Sequence, residues 1–213
     1  MGKVILTADG IDTQQIYDEI VKCVNPNTKV GIITTAKPEK ENRKSPQNHK
    51  KLFENMGAKV DFFDFETQDT KLVHNFDIIF VEGGSPYRLM YWIRKTNFDI
   101  DLKKFLEGNG IYIGRSAGSM VVGNNFKLCD YLTPDMNVEK ITDLNGLSYV
   151  DVSICPHYSD FLNVYENCEA KIQQCEKDNN MQIYRLNNGE ALVFDDCKKK
   201  EYKKLSDEVK NLI

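Results

Sequence analysis

Gly110-Ile111-Tyr112-Ile113-Gly114-Arg115-Ser116-Ala117-Gly118-Ser119-Met120-Val121-Val122 runs from a short apolar strand, through two glycines spaced four apart, into a helix-compatible stretch. The centre fits the pattern G-x-S-x-G. A residue between a strand and a helix sits on a tight, strained turn, and small flanking residues leave room for it. Such a turn holds the Ser116 hydroxyl at the carboxyl edge of a sheet, at the positive end of a helix, where the Ala117 N–H can meet an oxyanion. Taken in isolation, an ordinary glycine-rich strand–helix turn reads the same way. The weight therefore comes from its surroundings.

Upstream, short β-branched runs alternate with longer amphipathic ones. Lys3 to Ala8, Val30 to Thr34, Lys59 to Phe63, Asp77 to Val81 and Gly110 to Ile113 read as strands. Thr13 to Cys23 reads as a helix, and another helix, closed by Gly57, precedes Lys59. Continuous apolar strands suit a parallel sheet covered on both faces, and strand–helix alternation implies right-handed βαβ units. The expectation is an α/β fold with a doubly wound, mostly parallel sheet. Downstream, Tyr149 to Ile154, Gln182 to Leu186 and Ala191 to Phe194 read as strands, with one helix near Phe161 to Lys177 and a short one at Leu205 to Ile213.

A chain of 213 residues fits one domain, residues 1–213, with enough length to bury a core. Apolar residues at 41% and charged residues at 28% exclude a disordered polar chain. The net charge of -4 gives no general attraction to nucleic acid or to anionic membranes. No apolar run reaches membrane-spanning length, and Asp9 and Asp12 interrupt the first apolar run, which reads as a strand and not an export signal. Cys23, Cys129, Cys155, Cys168, Cys175 and Cys197 form no Cys-x-x-Cys pair, which suits a reduced, cytoplasmic protein with buried thiols. The lysine-rich stretches, Lys37 to Lys51 and Lys198 to Lys204, read as solvated charge, the first a loop running into a helix.

Phe80-Val81-Glu82-Gly83-Gly84-Ser85-Pro86 ends another strand. Its glycines let backbone approach a ligand, and Ser85 can cap a helix starting at Pro86. A serine nucleophile needs a base. His49 lies in the charged stretch and His74 at a surface or edge. His157, in Cys155-Pro156-His157-Tyr158 at a strand end, is the best placed of the three. The group that orients it is open among Asp130, Asp135, Asn188 and Glu190. Cys129 and Cys155 read as packing residues. No ligand cluster at metal spacing, Walker loop or G-x-G-x-x-G occurs.

Taken together and in order, Val81-Glu82-Gly83-Gly84-Ser85, Gly114-Arg115-Ser116-Ala117-Gly118-Ser119 and Cys155-Pro156-His157-Tyr158 resemble the peptidase E family, which contains aspartyl dipeptidase and the cyanophycinases. The resemblance spans nearly the whole chain. It implies a three-layer α/β/α sandwich, class I glutamine amidotransferase-like, and a serine peptidase acting on short peptides. Ser116 would be the nucleophile, His157 the base, and the N–H groups of Gly84 and Ala117 the oxyanion hole. Asp135, in Thr133-Pro134-Asp135-Met136, matches an aspartate the family keeps in or beside its site.

The family's third member is Glu, or Asp in some relatives, in a late strand–loop segment. Here that segment reads Arg185-Leu186-Asn187-Asn188-Gly189-Glu190-Ala191, with Asn188 at the matching position. Asn188 is thus the implied orienter, while Ser85, Asp135 and Glu190 stand as substrate-binding residues or alternative acids. Aspartyl dipeptidase carries an arginine after its histidine, whereas Ser159 to Glu166 here is acidic. Asp-X specificity does not carry over, and a basic or neutral N-terminal residue is expected instead. The resemblance implies no cofactor and no metal, a short peptide as partner, no nucleic acid or membrane, and a monomer or homodimer. An amidase or esterase on the same turn, or a catalytically weak small-molecule binding protein, remains an alternative.

Overall fold

Val4, Ile5, Leu6 and Thr7 are all buried. A strand with no exposed side chain needs cover on both faces and partners on both edges, and β1 (Val4–Thr7) has them. The computed structural model describes residues 2–195 and 198–202. In it β1 lies between β5 (Ile111–Arg115), parallel, and β8 (Ala191–Asp195), antiparallel. The sheet order is β3-β2-β4-β5-β1-β8-β9, where β2 is Lys29–Ile33, β3 Lys59–Phe63, β4 Ile78–Val81 and β9 Lys198–Tyr202. Five parallel strands thus continue into an antiparallel pair, giving the mostly parallel α/β sheet expected.

Alternation along each strand splits the core between the two faces. On one face Ile5, Ile32 and Phe80 meet Ile16 and Ile20 of α1 (Gln14–Val21) and Phe53 of α2 (Lys44–Asn55). On the other, Leu6, Ile33 and Ile79 meet Leu89 and Met90 of α3 (Pro86–Thr96) and Leu102 and Phe105 of α4 (Phe98–Glu107). From β1 the chain steps outward through α1 and α2 to β3. It returns through a 3-10 turn (Thr70–Asn75), α3 and α4 on the opposite face. Reversing direction and face together keeps one hand of crossover, as right-handed βαβ units require. It also leaves a crevice at the carboxyl ends of β1, β4 and β5, where neighbouring strands send their connections to opposite faces.

Local chemistry sets the helix ends. Thr13 caps α1, its hydroxyl accepting the Ile16 N–H at 3.4 Å. Ser85 caps α3 by accepting the Arg88 N–H at 3.1 Å, with Pro86 in the first turn as expected. Asn97 closes α3 in the left-handed conformation.

The second half departs from expectation in three places. The expected strand Tyr149 to Ile154 begins only at Ser153, as β6 (Ser153–Pro156), which pairs in parallel with β7 (Ile183–Leu186) in a separate two-stranded sheet. Upstream of it the Tyr149 N–H donates to Val122 O at 2.9 Å, and Tyr149, Val150 and Val152 pack on the large core cluster, so their alternation reflects packing and not a ladder. The single helix expected near Phe161 to Lys177 is two, α7 (Tyr158–Val164) and α8 (Cys168–Asn179), because Asn167 takes φ 52° between them. The lysine-rich stretch from Lys198 is β9, hydrogen-bonded to β8. Cys197, Lys203, Lys204 and the expected helix Leu205 to Ile213 lie outside the described residues. No helix among the described residues is long and apolar enough to cross a membrane.

α5 (Ala117–Val121) and α6 (Leu128–Leu132) connect the two sheets. Leu128 and Leu132 of α6, Cys155 of β6, Ile183 of β7, and Cys168, Ile172 and Cys175 of α8 form a third apolar cluster. Burial pushes the Cys155 thiol up to about 12 and the Cys175 thiol up to about 11, with nearby Cys168 adding to the first and Asp178 and Glu176 to the second. A thiol protonated at neutral pH is a poor nucleophile. Native protein at pH 8 should therefore resist iodoacetamide at Cys155 and Cys175, while urea-denatured protein alkylates at both, read by peptide mass spectrometry.

Candidate active site

β5 ends at Arg115, and Ser116 follows with φ 50° and ψ −112°. A non-glycine residue there costs roughly 1–3 kcal/mol, so its surroundings must over-determine it. The Ser116 N–H donates to Thr7 O at 3.0 Å, and its carbonyl accepts the N–H groups of Ser119 (2.9 Å) and Met120 (3.0 Å). The Ser119 hydroxyl donates to Thr7 O at 2.8 Å and accepts the Thr7 N–H at 3.0 Å. The glycines at both ends of the pattern are sterically required. A Cβ on Gly118 would stand 2.3 Å from Val81 O, and one on Gly114 would stand 2.7 Å from the Gly118 carbonyl.

Ser116 opens into a cavity of about 320 Å³ at the crevice. Gly83, Gly84 and Ala117 line it beside the serine, and His157 lines it from the end of β6. Ala117 is the first residue of α5, so its N–H has no partner within the helix. Met120, Leu128, Leu132, Phe161 and Tyr165 make an apolar wall. Lys37, Arg43 and Arg115 supply charge, and no carboxylate is among the lining residues. The expected preference for basic or neutral residues drew on the acidic segment after His157. The acidic segment after His157 does not line the cavity with its carboxylates, and Asp160 is engaged by Asn188.

His157 has φ 55°, left-handed, directly after Pro156. Its Nδ1 lies 2.7 Å from Asn188 Oδ1, and Asn188 Nδ2 donates to Asp160 Oδ2 at 2.8 Å. An amide oxygen only accepts, so this contact sets the proton on Nδ1 and leaves Nε2 with its lone pair. No hydrogen bond joins Ser116 Oγ to His157 among the described residues; they share the cavity wall. The adjacent Gly189 N–H donates to Asp12 Oδ2 at 2.7 Å, tying this turn to the loop after β1.

Other candidates are engaged elsewhere. Glu190 Oε2 accepts the Asn187 N–H at 2.8 Å, within its own turn. Besides capping α3, the Ser85 hydroxyl donates to Met136 O at 3.3 Å. Asp130 accepts the Tyr87 hydroxyl at 2.7 Å. Asp135 is exposed on the 3-10 turn Pro134–Met136, between Thr133 and Met136, which do line the cavity. His74 Nε2 lies 3.5 Å from Asp101, away from the site. Among the described residues no group of three or more His, Cys, Asp or Glu is placed to hold a metal ion.

Sequence reading missed the network beneath the site. His49, assigned to a charged surface stretch, is buried, with Nδ1 2.6 Å from Glu82 Oε1. Glu82 is fully buried at the end of β4; it also accepts the Ser45 hydroxyl at 3.0 Å and Arg115 Nη1 at 3.4 Å. Arg115 pairs in addition with Asp9. Burial alone would raise the Glu82 carboxyl, but the His49 hydrogen bond and charge, with Arg115 and Ser45, outweigh it and hold the group below the usual range. The one signal in the sequence was an acid directly following a wholly apolar strand, Ile78-Ile79-Phe80-Val81.

Residues 4–202 match the profile of peptidase family S51. The uncharacterized peptidase Lmo0363 of Listeria monocytogenes is 28% identical over 199 residues, covering 91% of this chain and 95% of its own length. A peptidase E of Nostoc sp. is 27% identical over 127 residues, covering 60% and 51%. A crystal structure of a candidate peptidase E protein from Listeria monocytogenes EGD-e superposes with a TM-score of 0.78 at 25% identity, covering 97% of this chain and all of that one. A peptidase from an acI-B1 actinobacterium shares the fold, with a TM-score of 0.67 at 19% identity, covering 91% and 83%.

Removing the Glu82 carboxylate strands His49 and Arg115, and breaking a buried pair in this way costs about 3–5 kcal/mol. Glu82→Ala should lower the urea-unfolding free energy by about that much at pH 7. The folded pKa of Glu82 is depressed, so its contribution is present above the ordinary glutamate pKa and is lost as pH falls through the lower folded value. The gap between wild type and variant should narrow as pH falls below the ordinary glutamate range.

Proposed function

The chain belongs to peptidase family S51 and is a serine-type peptidase, and on that footing we propose that it hydrolyses short peptides, as a dipeptidase or exopeptidase, through Ser116 and His157. The observation that carries this reading is that a strained serine turn and a histidine whose Nδ1 is held by Asn188 line the same cavity. A volume of about 320 Å³ lies at the low end for ligand pockets and favours short substrates.

In the acylation step Ser116 Oγ attacks the peptide carbonyl carbon while His157 Nε2 takes the hydroxyl proton. The carbonyl oxygen becomes an oxyanion facing the N–H groups of Gly84 and Ala117, each worth roughly 3 kcal/mol of barrier in comparable sites. Collapse breaks the C–N bond, and the imidazolium delivers its proton to the leaving amine. Water then attacks the ester with His157 again as base, releasing the acid and restoring Ser116. Asn188 orients the imidazole without a charge of its own; the Asp160 carboxylate polarises its amide from the far side. That arrangement favours catalysis over the binding-only alternative, because the amide performs the orienting role that the acid holds in other family members.

Intact-mass labelling with a small fluorophosphonate tests the nucleophile. Wild type should gain one adduct and Ser116→Ala none, with dipeptide kcat/KM falling about a thousandfold or more. An adduct that persists in Ser116→Ala would sink the assignment. Asn188 is tested by substitution. An aspartate at that position keeps an acceptor for the Nδ1 proton, so Asn188→Asp should retain most of kcat/KM. Asn188→Ala removes the acceptor and should lower kcat/KM about a hundredfold.

A further inference from the structure

The parallel ladder between β4 and β5 ends where Val81 stands opposite Gly114. The next residue on each chain is charged, Glu82 on one and Arg115 on the other. Register sets them side by side, on the face that carries Phe80 and Ile113. Where backbone pairing stops, side chains take over: Arg115 Nη1 donates to Glu82 Oε2 at 3.4 Å. Each partner is also anchored from behind. Ser45 and His49, one turn apart on α2, hold the fully buried Glu82 carboxylate at 3.0 and 2.6 Å. Arg115 Nε donates to Asp9 Oδ1 at 3.2 Å, so a second edge of the guanidinium is engaged by the loop after β1.

Gly84 lies two residues beyond Glu82, and Ala117 two residues beyond Arg115. These are the proposed oxyanion donors. The Glu82 N–H donates to Ile33 O at 3.0 Å and the Ser85 N–H to Ala36 O at 2.9 Å. Between them, the N–H groups of Gly83 and Gly84 make no hydrogen bond among the described residues, and Gly83 O accepts Arg43 Nη1 at 3.4 Å. The two donor segments touch at Gly83, where a Cβ would lie 3.0 Å from Ser116 Cβ and 3.2 Å from Arg115 Nη1. Past the last pair of the ladder, the ion pair spans the gap between them. A buried ion pair is weak evidence for added stability, because apolar side chains of similar volume often serve as well; its particular use is to fix one geometry. Donors stabilise an oxyanion only where its charge develops, and a displacement of about 1 Å can cost roughly a hundredfold in rate.

We propose that the Glu82–Arg115 pair is a positioning clamp that sets the spacing of the Gly84 and Ala117 donors around Ser116. Arg115 acts through the backbone and not on substrate. The catalytic consequence rests on the peptidase reading; the coupling of the two segments does not.

Hydrogen exchange followed by NMR measures the coupling. In Glu82→Gln the Ser116 amide, and in Arg115→Met the Glu82 amide, should exchange about tenfold faster or more, although each lies on the unmutated segment. Arg115 is half-buried, so its variant carries the smaller folding risk. Leu102→Ala, which opens a cavity on the other face of the sheet, controls for lost stability and should not reproduce the effect. Kinetics measure the consequence. Arg115→Met and Glu82→Gln should each lower dipeptide kcat and the fluorophosphonate labelling rate constant about tenfold, with KM changed by less than about twofold. The double variant should fall no further than either single one, and Arg115→Lys should restore part of the loss. A raised KM at unchanged kcat would make Arg115 a substrate contact and overturn the clamp. So would losses that multiply in the double variant, wild-type exchange on the unmutated segments, or equal acceleration in Leu102→Ala. If wild type cleaves no peptide and takes no adduct while exchange stays coupled, the clamp stands and the peptidase reading falls.

Discussion

The carbonyl oxygen of Thr7 accepts two hydrogen bonds from the segment after β5, one from the Ser116 N–H and one from the Ser119 hydroxyl. Around that oxygen the rest of the site is assembled. The Thr7 hydroxyl donates to Gly114 O at 2.8 Å and accepts the Gly10 N–H at 3.0 Å, so one residue ties the central strand, the entry to the serine turn and the loop after β1. That loop in turn holds Arg115 through Asp9 and the Asn188 turn through Asp12. A backbone conformation costing a few kcal/mol survives only where alternatives are blocked. Here the blocks are hydrogen bonds from the most buried strand and a Gly118 contact that admits no Cβ.

Charge is layered around the cavity. Beneath it, Glu82 is saturated by His49, Ser45 and Arg115. Behind His157, the carboxylate is one residue removed, at Asp160, with a neutral amide between. In the cavity itself the lining charge is positive. The amide fixes the imidazole by geometry and carries no charge of its own.

Local signals were legible in the sequence wherever chemistry and spacing lie within a few residues. The serine turn, the Ser85–Pro86 helix start and His157 at a strand end all read correctly, because caps, strained turns and strand ends are set by neighbours in the chain. Burial of His49 was not legible. Its partner Glu82 is 33 positions away, and a histidine among lysines carries no mark of its tertiary contact. Asn167 broke a helix that periodicity alone would have continued. The lysines from Lys198 read as solvated, yet an edge strand needs only its backbone to pair, and charge there is compatible with both outcomes. Which charges line the cavity was not legible for the same reason. The acidic stretch is near His157 in sequence, whereas the cations that line the cavity come from residues 37–43 and Arg115.

The bond from Gly189 to Asp12 joins positions 177 apart. A ribosome makes Ser116 well before Asn188, and the turn bearing Asn188 is anchored to a loop synthesised almost at the start. His157 thus acquires its Asn188 contact only once β8 can dock beside β1. Ser116 and His157 are therefore both made before the turn that holds the imidazole can close. Long-range closure of this kind is slow compared with helix formation. Sequence order thus makes the turn that holds His157 among the last parts of the cavity to form, together with the completed sheet.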